Sequence, residues 1–298
     1  MDVPYIDHAA VSSALRMEDL IPRVRQAMID FSAGRVEQPA RRILAVKPWG
    51  GFFGGMPAVT PDSMGAKLVS FYPGNAERQL DTHMALIVLF EPETGRPLVT
   101  MDGRLITKMR TAAVTAAYVD AVARPDVRSL AILGAGEQAE SHFEALSIVR
   151  QFEDVRIWNR TAGRAAALAE KIGARVTNCE DAVRDADVLI AATASTDPVF
   201  DGDWLRPGTV VASVGWAGAD EGELDATTMS NTVIVDSRDG ALTESGNVRR
   251  WNAAIHAELG EILDGKATVD SEATIVFESI GMACQDLAAA ELVSGILR

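Results

Sequence analysis

Along residues 17–31 the apolar side chains Leu20, Ile21, Val24, Ala27, Met28 and Phe31 fall on one helical stripe, and Gly34 stops the pattern. Residues 1–35 therefore read as helical. From Arg42 to Phe90 the period shortens to that of strands, at 43–46, 67–72 and 84–90, with Gly and Pro between them. Gly95-Arg96-Pro97 turns the chain into a further short strand over 97–101. This part predicts an antiparallel or mixed sheet with a helix ahead of it. An alanine-rich helix follows over 111–123, and Arg124-Pro125-Asp126 ends it, so a domain boundary is expected there.

Beyond that point short apolar strands (130–133, 155–158, 174–177, 188–192, 210–214 and 233–235) alternate with helical segments at 136–150, 162–172, 180–185, 225–230 and 239–250. Such alternation predicts a doubly wound parallel sheet. The stretch that gives it meaning is 129–139. A buried strand breaks into Gly134-x-Gly136-x-x-Ala139 and then into a helix, the context of a dinucleotide fingerprint. Gly134 permits the sharp turn, Gly136 lets a pyrophosphate approach the main chain, and Ala139 lets the helix pack closely. The helix-opening amides at Ala135, Gly136, Glu137 and Gln138 then face the phosphates. The expected fold class is α/β, a Rossmann-type doubly wound sheet plus an α+β domain, divided as 1–123, 124–274 and 275–298. The last segment is expected to return as a helix over 279–297 to the first domain.

Composition narrows the partners. The chain of 298 residues is 48% apolar and 23% charged, with a net charge of −14, which argues against non-specific nucleic-acid binding and against an anionic membrane surface. Cys179 and Cys284 have no ligand spacing, so neither a disulfide scaffold nor a metal site is expected. The N-terminus has no leader pattern, and the longest apolar run, 85–90, is too short to span a bilayer; a cytoplasmic protein is expected.

Against this acidic background, clustered cations call for an explanation. Arg41 and Arg42 precede a strand, Lys67 starts one, His83 precedes an apolar run, and Arg110, next to Lys108, precedes the alanine-rich helix. Together they suggest a carboxylate site, with Arg holding the anion bidentately and Lys supplying a charge or a proton. Arg42 reads as an outward residue of an alternating strand. In the dinucleotide domain the second strand ends at Asn159-Arg160-Thr161, with Arg164 one turn on. An acidic residue would be expected there for a free ribose hydroxyl. An amide, two guanidiniums and a hydroxyl suit a 2′-phosphate, so NADP(H) is favoured and NAD(H) is the alternative.

These residues resemble the ornithine cyclodeaminase/mu-crystallin family over nearly the whole chain. The resemblance lies in Gln38-Pro39-Ala40-Arg41, the segments 51–58 and 67–74, and Met101-Asp102-Gly103. It continues in Arg110-Thr111-Ala112-Ala113-Val114, the fingerprint, Trp158-Asn159-Arg160-Thr161, Asp236-Ser237-Arg238, and the segments 257–261 and 279–283. It implies a homodimer joined through the first domain and a nicotinamide cofactor at the cleft. It also implies a substrate carboxylate held by Arg41, Lys67 and Arg110, with Glu258 at the substrate pocket. His83, Thr111 and Ser279 match positions near the nicotinamide, and Thr82, Thr193, Ala194 and Val214 join the implied cofactor set. Two departures matter. Glu137 stands where relatives carry an apolar or small residue. Ala217 stands where true ornithine cyclodeaminases carry an aspartate, and Asp220 is out of register. The reading is an imino-acid (ketimine) reductase, with Lys67 the first candidate proton donor and His83 the second. Substrates of the pyrroline-2-carboxylate, piperideine-2-carboxylate or iminosuccinate type fit. The alternatives are an ornithine or lysine cyclodeaminase and a non-catalytic NADP(H)- and ligand-binding protein. Selectivity is expected from loops at 50–57 and 215–222.

Overall fold

The computed structural model describes residues 2–215 and 218–297, so Ala217 lies outside the described residues. The chain divides into two compact units, residues 1–110 with 282–298, and residues 111–281.

The first unit contains β1 (Tyr5–Ile6), α1 (His8–Ala14), α2 (Met17–Ser32), β2 (Arg42–Val46), β3 (Gly51–Val59), β4 (Met64–Phe71), β5 (His83–Phe90) and β6 (Pro97–Asp102). Its mixed sheet has the order β1-β6-β5-β4-β3-β2, antiparallel except for β1 beside β6. The stripe foreseen on α2 is buried at Leu20, Ile21, Val24, Ala27 and Met28. Most of the loop expected at 50–57 instead lies in the strand β3, hydrogen-bonded on both sides. Its glycines disguise it. A Cβ on Gly51 would lie 2.4 Å from the Tyr72 ring and one on Gly54 3.3 Å from Val69, so close packing excludes the β-branched residues that announce strands.

The second unit contains β7 (Ser129–Leu133), α4 (Glu137–Val149), β8 (Asp154–Trp158), α5 (Ala162–Ile172), β9 (Arg175–Val176), α6 (Cys179–Val183), β10 (Val188–Ala191) and β11 (Val210–Ser213). It continues with α7 (Ala226–Met229), β12 (Thr232–Val235), α8 (Arg238–Glu244), α9 (Gly246–Trp251), β13 (Ile255–Glu258), α10 (Leu259–Leu263) and β14 (Ile275–Glu278). All eight strands are parallel, in the order β13-β12-β14-β11-β10-β7-β8-β9. The central strands β7, β10 and β11 are buried along their whole length, which is why they read as unbroken apolar runs. Strand order reverses between β7 and β10, the switch point at which such sheets open a ligand crevice.

Two sequence boundaries move. The helix α3 (Arg104–Val122) carries the division between units at 110/111 rather than at 123/124. Its later half belongs to the second unit because Tyr118 is fully buried there. The Tyr118 hydroxyl lies 3.2 Å from the Val211 carbonyl and 3.0 Å from that of Ile275, and the ring stacks on Phe277 at 4.8 Å. Likewise residues 275–278 are not part of the returning helix. They form β14, between β11 and β12. Only α11 (Ala283–Leu297) returns to the first unit, where it packs on α2 and on β3, β4 and β5.

Candidate active site

In the first unit, strand register decides which cations meet. Lys67 pairs with Met56 and Ile87, and Phe71 pairs with His83. Because side chains alternate across a sheet, Lys67 and His83 share one face of it. Arg42 is in register with Gly55, which pairs with Leu68, so it points to the opposite, exposed face, as its alternation suggested. Arg110 lies late in the first half of α3, and Arg41 sits just ahead of β2, half-buried.

The charges converge on a residue the sequence reading missed. Asp286, in the first turn of α11, is fully buried. One of its oxygens lies 2.8 Å from Lys67 Nζ, and the other accepts Arg110 Nε at 3.0 Å. Arg110 Nη1 donates to Gln285 Oε1 at 2.7 Å. Gln285 Oε1 also accepts the Met282 amide. The signal was available, since Gln285-Asp286 is an adjacent polar pair in the first turn of a largely apolar helix. Its partners, 176 and 219 positions away, were not.

Burial lowers the Lys67 ammonium to about 8. Asp286 opposes that shift, while the charges of Arg110 and Arg41 add to it. Burial lowers His83 to about 4, and Lys67 and Arg110 push it the same way. His83 is therefore neutral at pH 7. Of the two proton-donor candidates, only Lys67 still carries an acidic proton there.

The second unit carries the residues read from the sequence as a dinucleotide fingerprint. Gly134 has φ +123°, and a Cβ there would sit 2.4 Å from the Ala192 carbonyl oxygen, so the first glycine is required by the turn itself. Gly136 is different. It is exposed, a Cβ would meet nothing within 4 Å, and no side chain caps the α4 N-terminus. The open space and uncapped amides fit a diphosphate. Ala135 and Gln138 are half-buried around this turn, and Glu137 is exposed.

At the end of β8, the Asn159 side chain donates to the Thr161 carbonyl at 3.0 Å. Arg160, Thr161 and Arg164 are exposed, and among the described residues neither arginine forms an ion pair. Val214 lies just after β11, and Ala194 is exposed just after β10. Thr193 spends its side chain inside the protein, giving its hydroxyl and amide to Glu223. Ser279 is buried, with its hydroxyl on Asp236 Oδ2 at 3.3 Å, and the Gly281 amide donates to the same oxygen. Thr111 is buried at the start of this unit. Thr82 belongs to the first unit, where its carbonyl accepts the Tyr72 amide.

Glu258, expected at the substrate pocket, caps α10 in a reciprocal arrangement with Glu261 and accepts the Arg238 amide at 2.9 Å. Asp220 is exposed and paired with Arg249 at 3.0 Å. Glu223 and Leu224, directly after the 215–222 loop expected to set selectivity, are tied down from behind. Glu223 is buried and accepts from Thr193, Ser213 and Gly215. Asn247 accepts the Leu224 amide and donates to Ser213 and Glu278. Glu223, Glu278, Asp236 and Asn247 were not foreseen. They come together only because the ends of β11, β12 and β14 are adjacent. Among the described residues no group of three or more His, Cys, Asp or Glu is arranged to hold a metal ion, and no helix is long and apolar enough to cross a membrane.

The sequence profile of the ornithine cyclodeaminase/mu-crystallin family matches residues 5–297. The chain is 42% identical over 296 residues to ketimine reductase mu-crystallin of Mus musculus, covering 96% of this chain and 93% of that one. It is also similar to the structure of Thermococcus litoralis Delta(1)-pyrroline-2-carboxylate reductase in complex with NADH and L-proline, at TM-score 0.93 and 32% identity over 98% of this chain and 97% of that one. An archaeal alanine dehydrogenase dimer with bound NAD superposes with TM-score 0.93 at 28% identity, over 99% of this chain and 96% of the other.

Proposed function

The chain belongs to the ornithine cyclodeaminase/mu-crystallin family, and on that premise we propose that it is an NAD(P)H-dependent imino-acid reductase. Its substrate is a cyclic imine carboxylate of the pyrroline-2-carboxylate or piperideine-2-carboxylate type, reduced to the L-amino acid. The observation that carries this reading is the buried Lys67–Asp286–Arg110 cluster, two cations on one carboxylate and therefore one net positive charge.

Arg110 and Arg41 hold the substrate carboxylate and fix the orientation of the ring, which lowers the barrier by positioning. Lys67 supplies charge to the same anion and the proton that the imine nitrogen needs. A bound reduced nicotinamide would supply hydride to the imine carbon, and with the Lys67 proton on nitrogen this completes the amine. The neutral His83 lines the same sheet face and restricts where the ring can lie. The uncapped α4 N-terminus and Gly136 would hold the diphosphate.

For the cofactor, NAD(P)(H) is the class, and NADP(H) is the form favoured here. The solved relatives named above carry NADH and NAD, whereas this chain presents Arg160 and Arg164 without carboxylate partners among the described residues. Two such guanidiniums suit a dianionic 2′-phosphate. A homodimer completes the reading, formed through the exposed apolar face of the first sheet.

The test is oxidation of NADPH and of NADH at 340 nm with pyrroline-2-carboxylate, piperideine-2-carboxylate, iminosuccinate, and pyruvate with ammonia. We expect turnover of a cyclic imine, faster with NADPH, and a loss of at least 100-fold in Lys67→Ala, on the scale of one general acid. Silence with all four substrates, with ammonia released from ornithine or lysine, would replace this reading with cyclodeamination.

A further inference from the structure

Two buried cations side by side are costly. Each loses several kcal/mol of hydration, and in a dry site each repels the other. Lys67 and Arg110 are 2% and 5% exposed, yet both point to one carboxylate. Asp286 meets them with different oxygens, so the trio carries one net positive charge, which a single substrate carboxylate neutralises. The placement of Asp286 is built in. It sits in the first turn of α11, where the helix amides favour an anion, and Gln285 beside it fixes a second edge of the same guanidinium at Nη1. The other charged or titratable groups facing Lys67 are Arg41, ahead of β2, and the neutral His83 on β5. Asp286 is thus the anion that offsets two positive neighbours.

We infer that Asp286 is a positioning residue for the reduction: it keeps Lys67 a cation in a buried site and orients Arg110 through Nε, so that both meet the substrate carboxylate. This inference rests on the proposed reductase activity for its kinetic consequence, but not for its physical one.

The sign of that consequence is fixed. Activity requires the Lys67 proton, so the pH profile of kcat/KM falls above about 8. Asp286→Asn removes the one attraction in the cluster and leaves Arg110 and Arg41 repelling the ammonium. The alkaline limb then moves down by at least one pH unit, while Lys67→Arg, whose guanidinium does not titrate in this range, has no such limb. An Asp286→Asn variant whose rate falls equally at every pH, with the limb unmoved, would reduce Asp286 to a packing role and overturn the inference.

A second measurement does not need turnover. In the holoenzyme labelled with 15N at lysine Nζ, the Lys67 signal, identified by its absence in Lys67→Arg, reports the charge directly. A charged Lys67 at pH 7 with a midpoint near 8 is expected in the parent, and a lower midpoint in Asp286→Asn. A Lys67 already neutral at pH 7 in the parent overturns the inference even if Asp286→Asn does not fold. If no imine is reduced, the proposed activity fails while this titration still decides the role of Asp286.

Discussion

At the scale of single residues, the second unit holds a carboxylate whose environment makes a testable demand. Burial raises Glu278 to about 7, against the lowering effect of hydrogen bonds from Ser245 and Asn247; nearby Glu223 and Asp236 raise it further. Between its ordinary value of 4.5 and 7, the folded protein keeps a proton that the unfolded chain has lost. Stability is therefore largest below that window and falls as pH rises through 7. Glu278→Gln cannot ionise and removes this slope. Whatever constant cost the amide brings, the difference in melting temperature between variant and parent should be more favourable at pH 8 than at pH 5, by several degrees. Equal differences at both pH values would mean that Glu278 is ionised throughout. The residues themselves gave little warning here. Glu278 ends an apolar strand and Glu223 directly follows Gly222, and neither position in the sequence reveals that three strand ends pack their carboxylates together.

At the scale of elements, the turn between β7 and α4 separates a glycine the fold requires from one the fold leaves open for the proposed diphosphate contact. Gly134 is held at positive φ with the Ala192 carbonyl 2.4 Å from its would-be Cβ, whereas a Cβ on Gly136 meets open space. Gly134→Ala should cost stability on the order of 2 kcal/mol, from strain and the clash together. Gly136→Ala should leave the melting temperature unchanged within about a degree, yet weaken dinucleotide binding at least tenfold. Calorimetric titration with NADPH checks the second, and an unaltered dissociation constant would remove Gly136 from the diphosphate site. This element was legible in the sequence because its chemistry is local: strand, turn and helix follow one another within a dozen residues. Strand β3 was not, because its glycines answer to Tyr72 and Val69 across the sheet.

At the scale of the whole molecule, the first sheet leaves apolar side chains in the open. Leu44 and Phe53 are cross-strand partners, as are Leu68 and Leu86, and Ser70 pairs both Phe53 and Met84. These side chains share one face with Arg42, and Leu44 is 61% exposed. A contiguous apolar face of this kind marks an interface, and a second copy of the chain is the proposed occupant. Leu44→Glu combined with Leu86→Glu should convert the dimer to a monomer in light scattering at micromolar concentration. A dimer of unchanged affinity would place the interface elsewhere.

What the sequence determined by itself is whatever is written in neighbours. It specified the α2 stripe, the apolar runs of the parallel sheet, the dinucleotide turn and the family resemblance that singled out Lys67 and Arg110. The tertiary structure decided what depends on distant residues meeting in a dry place. Register put Lys67 and His83 on one face, and burial then made His83 neutral and left Lys67 as the proposed proton donor. The return of α11 set Asp286 against two cations more than 170 positions away. Charge is visible in a sequence; its worth depends on desolvation and on which opposite charge lies within about 3 Å, and only the folded chain sets either.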